Sequence, residues 1–183
     1  SYTPANPNDD RLASFSAAGP TYEGFVKPDV VAPGGHIWSL MSTGAQIAQG
    51  HPTYQNSGDY FTMSGTSQAA AVVSGAVALL LQAEPGLTPD QVKCKLMASA
   101  RPAVNSAGAL AYSIFQQGAG LIDASAARAE SERNCANRGL DIAKDLSGEA
   151  HYGGPARQNE AGDYYVADAN GYAWNQGYAW NQG

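Results

Sequence analysis

The chain has 183 residues, of which 44% are hydrophobic and 14% charged. That is enough apolar material for a buried core and too little charge for a solvated, disordered chain. Ten Lys+Arg against sixteen Asp+Glu give a net charge of −6, which argues against a nucleic-acid partner. No apolar run reaches the roughly 18 residues that cross a bilayer, so no membrane span is expected. The start, Ser1-Tyr2-Thr3-Pro4, shows no initiator Met and no charged-then-apolar leader. It reads as the product of leader removal or as an N-terminus that is not the gene's own.

In chain order, the Pro-, Asn- and Asp-rich opening reads as loop, with Asn6-Pro7-Asn8-Asp9-Asp10 as its centre. That stretch is a mild candidate for a cation loop, and a solvated turn is the plainer reading. Short strands are expected over 12–15, 26–31 and 36–40, with Ala32-Pro33-Gly34-Gly35 as a turn between the last two. Residues 42–58 read as loop, and 60–63 as a strand running into Ser64-Gly65-Thr66-Ser67. Residues 69–81 are apolar almost throughout and read as a buried helix, with a close packing contact expected at Gly75. Thr88, Pro89 and Gln91 spell an N-cap, a first-turn proline and a capping box for a helix reaching about residue 100. Residues 112–115 suggest a strand, 117–120 a turn, and Asp123 opens an Ala-rich helix to about residue 132. Beyond Asn134 the chain turns acidic and ends in an exact repeat, Gly171-Tyr172-Ala173-Trp174-Asn175-Gln176 and again from Gly177.

The chemically suggestive position is Ser67, after a small-residue turn and at the start of the apolar helix. Free backbone N–H groups and the positive end of the helix dipole stabilise an oxyanion there. Gly65 lets another backbone approach closely. The alternative is that Ser67 merely caps the helix.

The wider context favours the first reading. Gly65-Thr66-Ser67-Gln68-Ala69 followed by Gly75 resembles the nucleophile motif of subtilisin-like serine proteases. Ala13-Ser14-Phe15-Ser16 and Lys27-Pro28-Asp29-Val30-Val31-Ala32-Pro33-Gly34 resemble segments of the same family, as do Leu87-Thr88-Pro89-Asp90-Gln91-Val92 and Gly118-Ala119-Gly120-Leu121-Ile122-Asp123. They occur in the family's order and cover about residues 10–130. The resemblance implies an α/β fold: the C-terminal part of a doubly wound, mainly parallel sheet, over residues 1–136. Residues 137–183 would follow as an acidic, irregular or β-rich tail. It implies a serine endopeptidase acting on protein or peptide substrates, with Ser67 as nucleophile, its own N–H in the oxyanion hole, and Thr66 and Gly65 in support. Residues 27–34 would be scaffold. Two positions depart from the pattern, Gln68 where Met is usual and Ala71 where Pro is usual. Gln68 removes an oxidisable sulfur beside the nucleophile.

The rest of a triad is missing. His36, His51 and His151 lie outside the family's histidine context, and a base must sit within hydrogen-bond reach of its nucleophile. The expectation is that Asp, His and the oxyanion Asn come from a preceding part of the domain. The 183 residues alone would then be inactive, with part of the sheet and of the apolar helix uncovered. No cofactor is called for; structural calcium, known in the family, has no recognisable ligand pattern here, and no metal ligand is assigned. The second reading, from another class, is a non-catalytic binding or attachment protein on a degenerate protease scaffold.

Cys94 and Cys135 either form a bridge between a helix and a covering segment or are two separate thiols. A bridge would suit a secreted, extracellular protein. In the terminal repeat the period of six is even, so an extended chain would put Tyr172, Trp174, Tyr178 and Trp180 on one face. Such a ladder stacks on sugar rings, which makes a cell-surface glycan a candidate partner; a loosely ordered terminus is the alternative.

Overall fold

A computed structural model describes residues 10–166. The aromatic repeat, with Tyr172, Trp174, Tyr178 and Trp180, lies outside the described residues, as does all of the Asn6–Asp10 stretch except Asp10. The described chain forms two compact units. The first comprises residues 10–16 and 32–74, the second residues 17–31 and 75–166.

In the first unit, strand β1 (Ile37–Leu40) pairs antiparallel with β2 (Tyr60–Met63), Ile37 opposite Met63 and Leu40 opposite Tyr60. A short helix α1 (Gln46–Gly50) and a 3-10 turn (Pro52–Tyr54) lie in the connection, which the composition had suggested was loop throughout. Phe61 and Ala48 are buried there. Alternation along the hairpin leaves Trp38, Leu40 and Tyr60 on the open face and turns Phe61 inward. Residues 12–15 are not a strand; Ser16 closes a turn on the Ala13 carbonyl at 2.9 Å.

Helix α2 (Thr66–Ala83) starts in the first unit and ends in the second. It is longer than the apolar run because Thr66, Ser67 and Gln68 join its first turn. Two of its residues, Ala76 and Leu80, are buried, whereas Leu79 is 61% exposed. The expectation of a helix buried all round therefore fails for the described residues, since a helix apolar on every side needs cover on every side. Gly75 makes no close contact: a Cβ there would meet no described atom within 4 Å. By length and composition alone, α2 is long and apolar enough to cross a bilayer.

The second unit is organised around α3 (Pro89–Ala98), whose start is as expected. Thr88 Oγ1 accepts from Gln91 N at 3.3 Å, and Gln91 Oε1 accepts from Thr88 N at 3.0 Å. Residues 112–115 are not a strand. Ser113 precedes helix α4 (Ile114–Gln117), and its N–H donates to Gln116 Oε1 at 3.1 Å, so local capping chemistry overrides the aromatic and β-branched character of the segment. Asp123 caps α5 (Ala124–Ala129) through Ala126 N at 2.9 Å. The 26–31 segment contains Pro28, which cannot donate to a ladder, and only Val31 forms a bridge, parallel to Leu121. Val31 N donates to Gly120 O at 2.9 Å and Ile122 N to Val31 O at 3.0 Å, while Leu121 pairs antiparallel with Arg101. This narrow ribbon is the parallel pairing that the described residues contain; the two sheets themselves are antiparallel pairs.

The core joins Val26, Met97, Ile114, Phe115 and Ala119 to Cys94, Cys135, Ala136 and Ala156. Cys94 and Cys135 form a disulfide with Cα atoms 5.1 Å apart, and Cys94 is fully buried beneath the segment it holds. The bridge closes a long loop, a constraint of about 4 kcal/mol in the chain-entropy model.

Beside it lies Lys95, also fully buried. Its ammonium donates to Glu84 Oε1 at 2.6 Å and to the Glu130 and Arg128 carbonyls at 2.8 and 3.4 Å. Arg133 grips the other Glu84 oxygen at 2.8 Å.

Past residue 137 the chain packs back onto this unit. It forms helix α6 (Ile142–Ser147), capped by Asp141, and a hairpin of β3 (Ala156–Gln158) and β4 (Tyr164–Val166). Gly154 N donates to Glu23 O and Ala156 N to Gly24 O, both at 2.9 Å. Phe25 meets Tyr152, and Phe115 meets Tyr164, at ring-centroid separations of 5.4 and 6.2 Å. A Cβ on Gly154 would run into the backbone of Gly24 and Phe25, so only glycine permits this approach.

Two outcomes follow from this packing. Gly154→Ala should cost about 1–3 kcal/mol by overpacking and expose residues 150–166 to limited proteolysis, read as new cleavage sites in that stretch. The Lys95 hydrogen bond, then Arg133, holds the Glu84 carboxyl below its ordinary value of 4.5. Its stabilisation is therefore present above that value and is lost as pH falls through the lowered one. Denaturant midpoints measured down the acid range should fall more steeply for the native protein than for Glu84→Gln.

Candidate functional site

The candidate site sits at the junction of β2 and α2, within the first unit. β2 ends at Met63, Ser64-Gly65 make the turn, and Ser67 is the second residue of α2. Its side chain is exposed, as a nucleophile requires. A helix start leaves its first N–H groups without intrahelical partners, and such groups are able to stabilise a negative charge.

The turn is held by the Pro-Gly-Gly segment before β1. Gly34 O accepts from Gly65 N at 2.8 Å, and Ser64 Oγ accepts from His36 N at 2.8 Å. A Cβ on Gly34 would come within 2.7 Å of the Gly65 carbonyl oxygen and 3.1 Å of Ala69 Cβ. Glycine at 34 is thus what lets the two turns meet. His36 adopts a positive φ of 52°, which aims its backbone N–H at Ser64. Composition marked residues 32–35 as a turn but offered no sign that it braces the serine.

Gln68 folds back over the turn. Its Nε2 lies 3.7 Å from Met63 Sδ, and its Oε1 lies 2.8 Å from where a Cβ on Gly65 would be. The glycine therefore leaves room for the Gln68 amide. The sulfur near the turn belongs to Met63 at the strand end, not to position 68.

His51 and His151 are engaged elsewhere. The His51 ring lies tilted against Tyr54 with centroids 6.4 Å apart. His151, in the second unit, has Nδ1 3.0 Å from Asp145 Oδ1 and Nε2 3.7 Å from Glu23. Among the described residues no histidine ring hydrogen-bonds Ser67. Nor do the described residues contain a cluster of three or more His, Cys, Asp or Glu able to hold a metal.

Comparison with known proteins supplies the context for this turn. The profile of the subtilase family matches residues 5–134. Serine protease AprX of Bacillus subtilis is 48% identical over 89 residues, covering 49% of this chain and 20% of that protein. The PII-type proteinase of Lactococcus lactis is 32% identical over 143 residues, covering 69% and 7%. Subtilisin-like protease SBT3.9 of Arabidopsis thaliana is 36% identical over 92 residues, covering 49% and 11%. The structure of fervidolysin from Fervidobacterium pennivorans superimposes with a TM-score of 0.43 at 32% identity, over 54% of this chain and 14% of that one. The chain spans a fifth or less of the length of these relatives. The matched region contains the serine turn, its glycine brace and α3, and its mixed helix and strand content agrees with an α/β fold. On the match over residues 5–134, the chain belongs to the subtilase family.

Proposed function

We propose that this chain is the C-terminal part of the catalytic domain of a secreted serine endopeptidase. The observation that carries the reading is Ser67, exposed in the first turn of α2 on a glycine-braced turn, inside a subtilase match. In this reading the Ser67 hydroxyl oxygen attacks the scissile carbonyl carbon while a base takes its proton. The amine leaves with that proton, and water then hydrolyses the acyl ester to free the serine. The Ser67 N–H stabilises the tetrahedral oxyanion, Thr66 holds the turn, and Gly65 admits the substrate backbone. The base, its orienting Asp and the oxyanion Asn come from a preceding part of the domain. That part also completes the parallel sheet and covers the open flank of α2. The Cys94–Cys135 bridge supports an oxidising, extracellular setting.

In the full-length protein, Ser67→Ala should lower kcat on a peptide substrate by about 10⁵–10⁶-fold, because triad members act as a unit. A fluorophosphonate probe should label Ser67 and no other residue. Failure to label would point to the non-catalytic reading, and turnover by the isolated 183 residues would show that the missing groups are not needed. Because position 68 is an amide and not a thioether, peroxide should not inactivate the full-length enzyme through it; rapid inactivation with an oxidised residue mapped near Ser67 would contradict this.

A further inference from the structure

We propose that the second unit carries a binding site for a small carboxylate bearing an apolar or aromatic group, the chemistry of a free peptide C-terminus. The site is a cavity of about 280 Å³. That is several times the roughly 30 Å³ share of one water and near the small end of ligand pockets. Its apolar walls include Phe25, Val26, Leu140 and Tyr152. Its polar edge is Lys27, Asp29, Lys93 and Asn137.

The polar edge has donors to spare. Asp29 is held on one oxygen by Lys27 and on the other by Lys93 at 2.9 Å. Lys93 also donates to Asn137 Oδ1 at 3.0 Å, while Asn137 Nδ2 donates to Asp90 at 2.6 Å; Asp90 is not among the lining residues. An ammonium carries three donors. Among the described residues, Lys27 gives one of its three to protein and Lys93 two. Asp29 has both oxygens engaged. The lining therefore carries one uncompensated positive charge and unused N–H groups, and the group that satisfies both is an anion accepting charge-assisted hydrogen bonds. The apolar walls exclude a bare inorganic ion as the best fit and call for a side group of about one residue.

Two segments build the cavity, residues 25–29 with 93 inside the subtilase match, and residues 137–155 beyond it. The site thus depends on the C-terminal extension that this chain adds to its family region. It rests on the cavity alone and is independent of the chemistry assigned to Ser67.

The experiment is calorimetric titration of the full-length protein, carrying Ser67→Ala to silence turnover, with N-acetylphenylalanine and with its C-terminal amide. The acid should bind at least about tenfold more tightly than the amide, the worth of one charge-assisted contact. Lys27→Met should bring the acid down to the amide's affinity, and Lys27→Arg, which keeps the charge, should retain most of the difference. Amide hydrogen exchange should slow on binding in residues 25–29 and 137–155. Equal affinity for acid and amide, no heat with the acid at about 10 mM, or protection confined to other segments would each overturn the proposal.

Discussion

A lysine ammonium withdrawn from water must find charge and hydrogen bonds, and Lys95 sets that requirement at the centre of the second unit. Glu84 supplies the charge just past the end of α2, and the carbonyls of Arg128 and Glu130 supply the remaining acceptors. Four chain regions are thereby brought to one point: the end of α2, the middle of α3, the end of α5, and the run through Arg133. Arg133 closes the arrangement by holding the second Glu84 oxygen. Leaving out Glu84 would strand the buried Lys95 ammonium, so this pair is costly to break from one side. The disulfide one residue away fixes the same run covalently, and the core behind it draws on both.

Where local chemistry decided the structure, the amino-acid order was legible. Thr88-Pro89-Asp90-Gln91 contains its own capping box, and Asp123 its own cap, so both helix starts agree with the reading of the bare sequence. Ser113 and Gln116 carried the same signal, but the aromatic and β-branched residues around them suggested a strand. Where partners distant in sequence decided, the order was mute. Nothing local marks Gly34 as the brace of the serine turn, because its need for glycine comes from Gly65 and Ala69. Nothing local marks Gly154 either, since the backbone it touches belongs to residues 24 and 25. The motif around Ser67 was readable as a family resemblance, which the match over residues 5–134 bears out.

Helix α2 is apolar on more sides than the described residues cover. Its sequence demands cover on every side, and the described residues bury Ala76 and Leu80 and leave Leu79 open. The narrow ribbon of residues 29–31 against 119–122 makes regular hydrogen bonds and is short for a parallel layer.

The contacts between the start and the end of the described chain carry a kinetic consequence. Residues 19–31 bond to Phe115, Gly120, Gly154 and Ala156, so the second unit is closed by pairings of very high sequence separation. Such loops cost entropy before any contact repays it, and chains dominated by them fold slowly. During synthesis residues 19 and 29–31 find their partners once residues 115–122 have left the ribosome, while Glu23 and Gly24 must wait for residues 154 and 156.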